Sequence, residues 1–263
     1  MDDTAAVLAR YDREMRESAR PDGPGARVER AGRVVRQVAP AHGWNGVLWS
    51  GLDPHSADAD VDAVIAEQVA RYTALGHGFE WKLYGHDRPA GLARRLRAAG
   101  FTPEPAETLL VAETGDVPLD AEPPAGVRVV AVADAAGVDL VTRVHERAFG
   151  TDGAALRQQM LDRLAADPEG LLAVVALAGD EPVSAARMEL VPGTPFAGLW
   201  GGGTVEGWRG RGLYRALVAH RARIAADRGY RYLQVDASDQ SRPVLERLGF
   251  VPLTTTTPYV YER

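Results

Sequence analysis

Apolar and polar positions along the chain repeat with two periods, and each period marks one type of secondary structure. Apolar residues spaced three or four apart predict helices over 4–19, 60–75, 92–98, 136–148, 154–166, 213–227 and 242–248. Shorter apolar or alternating stretches indicate extended segments over 28–38, 44–50, 79–84, 108–112, 127–131, 171–178, 183–191, 195–205, 230–236 and 251–261. This order of strands and helices predicts a mixed α+β fold, with a central sheet flanked by helices.

One segment divides the chain into two halves. Between Gly115 and Gly126 the sequence reads GDVPLDAEPPAG, whose proline and acidic content is typical of a linker. We therefore predict domains over 1–115 and 127–263, joined by residues 116–126. The halves also echo each other, since each has a helix, a Gly-aromatic pair, a strand, an Arg-Pro pair, a short helix and a Gly-Phe pair. This echo predicts an internal duplication.

Composition narrows the classes of function. The chain has 263 residues, of which 46% are hydrophobic and 25% charged, as in an ordinary globular protein. It has no cysteine, which excludes thiolate catalysis and Cys-ligated zinc, and no His, Asp or Glu cluster has metal spacing, so we expect no metal. A net charge of −6 argues against a general nucleic-acid binder. With no long apolar run and an acidic start, we expect a cytoplasmic protein with no membrane partner.

The densest candidate chemistry lies between Gly201 and Leu217, where a predicted strand enters a glycine-rich turn and a helix follows. Backbone N–H groups converge at such a turn and the helix dipole adds positive potential, so a phosphate or pyrophosphate is the expected ligand. From Glu206 to Arg231 there are seven arginines and two acidic residues, a local charge of +5 (7 − 2). The segment lacks the Gly-Lys-Ser/Thr of a Walker A loop. Arg215 stands where a dinucleotide fingerprint needs its third glycine.

The segment Arg209-Gly-Arg-Gly-Leu-Tyr214 resembles the acyl-CoA signature, (Arg/Gln)-x-x-Gly-x-(Gly/Ala), of the GNAT N-acetyltransferase superfamily. The order of elements after Val127 and the ending Leu248-Gly-Phe250 share this resemblance, which covers about half of the chain. It implies a GNAT fold for 127–263 and, with the internal echo, a degenerate GNAT-like copy in 1–115. It also implies direct attack of a small-molecule or peptide amine on the thioester of acetyl-CoA, in a monomer or homodimer.

The resemblance implies a CoA site with three parts. Arg209 would shape a loop whose backbone amides hold the pyrophosphate, namely those of Gly210, Arg211, Gly212, Leu213 and Tyr214. The pantetheine arm would pair with the strand formed by Gly203, Thr204 and Val205, and the N–H of Val205 would serve as an oxyanion donor. Ser238 stands where the family often has an Asn that contacts CoA.

Two positions depart from the family pattern. Tyr214 stands where the family has Gly or Ala, so its ring crowds the phosphate turn unless it is directed outward. Leu245 stands where the family often has the Tyr that protonates the leaving CoA thiolate. The usual general acid is therefore missing, which weakens aminolysis without abolishing it.

A protonated amine must lose a proton before it attacks, and a carboxylate or an ordered water usually accepts it. Glu189 and Glu206 are the candidates, although Glu189 could be an edge-strand charge and Glu206 could pair with Arg209. His145 and His220 rank lower, since His220 falls on the apolar face of its helix. Two alternatives to acetyl transfer stay open, a non-catalytic sensor of acyl-CoA and a transferase of longer acyl groups.

Overall fold

The computed structural model describes residues 3–167 and 171–262, which form two compact units. The N-terminal unit comprises residues 3–109, 236–239 and 253–262, and the C-terminal unit comprises residues 110–167, 171–235 and 240–252. The chain thus changes unit within a strand, at residue 109, and not in the predicted linker 116–126. Most of the last strand belongs to the N-terminal unit, although the sequence places it in the second domain.

The N-terminal unit contains a sheet in the order β1-β2-β3-β4-β12, with β5 paired to β12. Its elements are α1 (Thr4–Tyr11, continued by a π-helix over Asp12–Glu17), β1 (Arg27–Ala31), β2 (Val34–Val38), β3 (Gly46–Ser50), α2 (Asp58–Leu75), β4 (Phe79–Tyr84), α3 (Leu92–Ala98), β5 (Thr102–Pro103), the start of β6 (Glu107–Glu113), and β12 (Val251–Tyr261). The core is formed where Ile65, Tyr72 and Leu96 of the helices pack with Phe79 and Trp81 of β4.

The C-terminal unit contains a sheet in the order β7-β8-β9-β10-β11, antiparallel except for the parallel pair β10 and β11. Its elements are β7 (Val127–Ala131), α4 (Ala135–Phe149), α5 (Ala154–Ala166), β8 (Leu172–Ala178), β9 (Glu181–Leu190), β10 (Phe196–Thr204), α6 (Leu213–Asp227), β11 (Tyr232–Ala237) and α7 (Arg242–Arg247). Val175 packs with α4 and α5, whereas Val174 packs with α6. Because neighbouring side chains of a strand point to opposite faces, helices cover both faces of this sheet.

The mixed α+β fold predicted from the sequence is confirmed, and the strand and helix bounds mostly agree within two residues. The main differences lie near the N-terminus. The predicted helix over 4–19 becomes π-helical after Tyr11, and the extended stretch over 28–38 is a hairpin. Gly32 reverses the chain there with a φ of +57°, a conformation that glycine adopts without a Cβ penalty.

Candidate functional site

The glycine-rich turn between β10 and α6 forms an open cradle at the start of a helix. Gly210 and Gly212 have φ angles of +75° and +84°, and a Cβ at Gly210 would meet no atom within 4 Å. Gly212 is the N-cap of α6 and contributes no side-chain cap. The first N–H groups of a helix have no intrahelical acceptor, so those of Leu213 and Tyr214 are available to an anion. The geometry suits the pyrophosphate predicted for this turn.

Arg209 holds this turn in place. Its Nε donates to the carbonyl of Thr204 at the end of β10 (3.1 Å), and its Nη2 donates to the carbonyl of Ala148 in α4 (3.0 Å). Its guanidinium is therefore committed to the backbone in these contacts, and the pairing with Glu206 considered from the sequence is not what anchors it. Next to it, the Arg211 guanidinium lies 4.7 Å from the centre of the Trp208 ring. Arg209 thus shapes the loop, and its neighbour Arg211 supplies exposed positive charge.

The strand β10 leaves its parallel neighbour before it reaches the turn. Its pairing with β11 ends at Gly198, opposite Gln234, while its pairing with β9 continues to Thr204. Between Trp200 and Gly203 the register with β9 shifts, so Gly201 and Gly202 have no partner residue in either ladder. Such a bulge leaves backbone donors outside the sheet. The C-terminal part of β10 therefore has a free edge, which begins at the bulge and leads to the cradle.

The predicted oxyanion role of Val205 is wrong. Its N–H donates to the carbonyl of Val183 on β9 at 2.9 Å, so it points into the sheet and away from the free edge. Successive residues of a strand turn their N–H groups to opposite edges, which directs the N–H of Thr204 outward. The hydroxyl of Ser184 also donates a hydrogen bond to the carbonyl of Gly203 at 2.8 Å, which fixes the backbone there. The free edge therefore offers the N–H of Thr204, next to two bulge glycines that have no partner residue in either ladder.

The ring of Tyr214 is not directed outward from the turn. A Cβ at Gly202 would lie 2.8 Å from Cε2 of Tyr214, so the ring packs on the bulge of β10. The phenol hydroxyl shares a hydrogen bond with Ser241 at the start of α7. Burial raises the pKa of Tyr214, an effect that nearby Arg221 and the bond to Ser241 partly offset. The phenol therefore stays neutral at physiological pH.

The two carboxylates proposed as bases lie in different surroundings. Glu189 accepts a hydrogen bond from Nη1 of Arg163 at 3.0 Å and is half-buried. It lies opposite Gly198, three residues and so roughly 10 Å along the strand from the bulge. Glu206 is exposed in a short 3₁₀ turn directly after Val205. The base role of both residues stays a prediction.

His145 is a candidate that ranked low in the sequence and that the structure places close to the strand β10. It lies on α4 with its ring 5.1 Å from that of Phe149, and Phe149 packs against Gly203. Its Nε2 is 3.0 Å from the hydroxyl of Thr151. Burial and the nearby charge of Arg187 lower the pKa of His145, so the imidazole is neutral at physiological pH. The triple glycine beside Trp200 was the available signal, because it allows this close approach of α4 to the strand.

Ser238 follows directly after β11 and is exposed. It is grouped with the N-terminal unit, whereas the cradle belongs to the C-terminal unit. Its contact with CoA stays a prediction.

The N-terminal unit repeats the strand-helix-parallel strand arrangement as β3, α2 and β4, but without the cradle. Pairing of β3 with β4 ends at Val47 and Trp81. Beyond that point the buried side chain of Arg16 donates to the carbonyl of Leu48 at 3.1 Å and lies 3.6 Å from the centre of the Tyr84 ring. Arg16 thus fills the space between the diverging strands.

The turn before α2 also differs in charge. Asp53 accepts a hydrogen bond from the N–H of His55 at 2.8 Å, and Asp58 and Asp60 lie in the first turn of the helix. These carboxylates complement the helix dipole, and their negative charge would repel a phosphate at this turn. The N-terminal unit thus offers no counterpart to the phosphate cradle at this turn.

Across 3–167 and 171–262 no helix combines the length and apolar character that a membrane span requires. Within the same ranges no three His, Asp or Glu side chains are placed so that they could hold a metal ion.

Comparisons with known proteins point to one family. Residues 138–250 match the model of the acetyltransferase (GNAT) family. The comparison with curated proteins gives no match. In structure, the chain is similar to a GCN5-related N-acetyltransferase from Kribbella flavida, with a TM-score of 0.68 and 22% identity over 99% of this chain and 94% of that one.

Two other solved structures show the same fold. One is a GCN5-related N-acetyltransferase from Sphaerobacter thermophilus, with a TM-score of 0.66 and 16% identity over 98% of this chain and 91% of that one. The other is a tandem GNAT protein from the clavulanic acid biosynthesis pathway, with a TM-score of 0.63 and 16% identity over 98% and 94% of the two chains. Residues 138–250 therefore form a domain that the acetyltransferase (GNAT) family model matches, and the chain as a whole has the tandem GNAT fold expected from its internal echo.

Proposed function

We propose that this protein transfers an acetyl group from acetyl-CoA to the nitrogen of a primary amine, by direct attack of the amine on the thioester. The observation that carries the proposal is the open cradle over Arg209–Tyr214, at the N-terminus of α6 and next to the free edge of β10. A cradle of N–H donors suits a pyrophosphate, and a free strand edge suits the amides of a pantetheine arm.

The residues of the cradle fit CoA in both space and charge. A Cβ at Gly212 would have Nη2 of Arg215 as its nearest neighbour, at 3.9 Å, so no side chain fills the space at Gly212. Arg211 and Arg215 are exposed beside it and would attract the phosphates. The free edge of β10 would then direct the thioester toward the bulge at Gly201 and Gly202.

Acyl transfer requires a donor for the negative charge that develops on the thioester oxygen. We assign this role to the N–H groups of the bulge glycines, because Gly201 and Gly202 have no partner residue in either ladder of β10. A preorganised donor of this kind is worth about 2.7–4 kcal/mol of transition-state stabilisation. This role replaces the one assigned to Val205 from the sequence.

The amine must also lose a proton, and His145 is the best-placed base. Its imidazole is neutral because burial and Arg187 lower its pKa, and through Phe149 it borders the strand at Gly203. Glu189 already accepts a hydrogen bond from Nη1 of Arg163 at 3.0 Å, so one of its carboxylate oxygens is engaged. In this proposal the amine proton passes to His145 as the nitrogen attacks the acyl carbon.

The experiment has two parts. CoA binding is measured by calorimetry, and free thiol is followed when acetyl-CoA meets a panel of amines: spermidine, phenylethylamine, glucosamine and the common amino acids. Binding together with amine-dependent thiol release supports the proposal, binding without turnover in the panel favours a sensor, and no binding refutes it. Replacing acetyl-CoA by longer acyl-CoA thioesters tests the length of the acyl group.

Variants at His145, Glu189 and Glu206 then identify the base. His145→Asn is expected to lower kcat about 100-fold with CoA affinity unchanged. In the wild type, kcat/KM is expected to fall with decreasing pH through a midpoint below the ordinary histidine value of 6.5. A loss confined to Glu189→Gln or Glu206→Gln would assign the base to that carboxylate instead.

A further inference from the structure

Tyr214 stands at a sequence position where the family pattern has Gly or Ala, neither of which can donate a proton. Its ring packs on the bulge of β10 at Gly202, and its hydroxyl shares a hydrogen bond with Ser241. Both neighbours belong to the C-terminal unit, as Tyr214 does. The side chain therefore reaches from the start of α6 to the start of α7, past the free edge of β10.

Ser241 and Leu245 lie on one face of α7. The N–H of Leu245 donates to the carbonyl of Ser241 at 3.1 Å, which is the spacing of one helical turn. Residues four apart in a helix are neighbours on its surface, roughly 5–6 Å apart between Cβ atoms. The hydroxyl of Tyr214 is consequently within about one turn of Leu245, a buried residue that has no proton to give.

The proposed reaction is faster when a proton reaches the leaving sulfur. When the C–S bond of the thioester breaks, its electron pair goes to sulfur, and a thiolate in a low-dielectric site is costly unless it is stabilised. If the bulge at Gly201 and Gly202 holds the thioester oxygen, the sulfur lies next to that bulge. The Tyr214 ring packs on the same bulge, since its Cε2 and Cζ lie 2.8 and 3.8 Å from the position of a Cβ at Gly202, so the phenol borders the place that the leaving atom would take.

We propose that Tyr214 is a catalytic residue, whose hydroxyl donates a hydrogen bond and then its proton to the leaving sulfur of CoA. This inference rests on the proposed acetyl transfer. The C–N bond forms as the C–S bond breaks, the amine proton goes to the base, and the Tyr214 proton goes to sulfur to give the free thiol. Solvent returns a proton to the tyrosinate, and the base releases one, so that protons balance over the cycle. Ser241 is a positioning residue, because its hydrogen bond fixes the phenol against the bulge.

The test compares Tyr214→Phe with a matched control, Tyr230→Phe, which removes a hydroxyl just beyond the other end of α6. The readouts are kcat and KM with acetyl-CoA and the most reactive amine of the panel, and the Kd for CoA by calorimetry. Tyr214→Phe is expected to lower kcat about 100-fold and to leave both the KM for acetyl-CoA and the Kd for CoA within about twofold, as for loss of a group that acts at the transition state. Tyr230→Phe is expected to match the wild type.

The outcomes separate this inference from the proposed function. If the wild type binds CoA and releases thiol while Tyr214→Phe has the same kcat, Tyr214 is not the donor and the proposed function stands. A further variant, Tyr214→Ala, tests whether the ring only narrows the site. If it binds CoA more tightly and turns over faster than the wild type, the ring is an obstruction and the inference is overturned. If the wild type neither binds CoA nor releases thiol, it is the proposed function that fails.

Discussion

Gly212 is the residue at which a single substitution tests the phosphate cradle. Its φ of +84° costs an ordinary residue about 1–2 kcal/mol, and its N–H and those after it form the start of α6. Gly212→Asp therefore adds backbone strain and also places a carboxylate among donors meant for a phosphate. Arg215 Nη2 lies 3.9 Å from the position of the new Cβ, so the aspartate would also pair with that cation.

The electrostatic cost of Gly212→Asp exceeds the strain. Two unit charges about 4 Å apart repel by about 4 kcal/mol at an effective dielectric constant of about 20. A loss of that size weakens CoA binding about 1,000-fold. At 1 M salt the Debye length falls to about 3 Å, which screens this repulsion. Part of the lost CoA affinity is therefore expected to return at high ionic strength.

Two control variants separate the charge from the strain. Gly212→Ala carries the strain without the charge, and we expect it to lower the free energy of unfolding by about 1–2 kcal/mol with less than a tenfold loss of CoA affinity. Gly207→Asp adds the same charge where φ is not left-handed and no atom lies within 4 Å, and near wild-type affinity is expected. Calorimetry with CoA and urea unfolding measure both quantities. The reasoning is refuted if folded Gly212→Asp binds CoA like the wild type, or if Gly207→Asp is equally damaging.

Three further predictions concern the N-terminal unit. Arg16→Ala is expected to lower the free energy of urea unfolding by about 3–5 kcal/mol, because it leaves the buried carboxylate of Asp87 without its partner at 2.7 Å; a loss under about 1 kcal/mol would contradict this. Glu107→Gln is expected to raise stability at pH 8 and to leave it unchanged at pH 4. Burial and the charge of Asp236 raise the pKa of Glu107 to about 7. The stability that protonation of Glu107 adds is therefore complete below pH 4.5 and is lost as the pH rises through 7. Equal effects of the substitution at both pH values would contradict this. Calorimetry is expected to give one CoA per chain, and two equivalent sites would mean that the N-terminal unit also holds CoA.

Local sequence was sufficient to predict most elements and the phosphate cradle. The helix over 213–227 and the strand over 251–261 have the predicted bounds, because apolar spacing and glycine punctuation act over a few residues. The turn at Gly210 and Gly212 was predictable for the same reason, since a left-handed backbone at the start of a helix selects glycine locally.

The contents of the site depended on tertiary structure. Whether the N–H of Val205 faces β9 or the free edge is decided by the register shift at Gly201 and Gly202, and register depends on pairing between strands that the sequence separates. His145 and Tyr214 gained their importance in the same way, through contacts with Phe149 and Ser241 that packing brings together.

The boundary between the two halves also depended on tertiary structure. Composition alone marked residues 116–126 as a linker, and that segment has no regular secondary structure. The compact units nevertheless change at residue 109, and the last strand pairs with β4, where Tyr259 lies opposite Trp81. The sequence by itself determined which segments form strands and helices, because propensity and periodicity are local. Only the tertiary structure decided which unit each strand joins, because strand pairing is a contact between residues far apart in the chain.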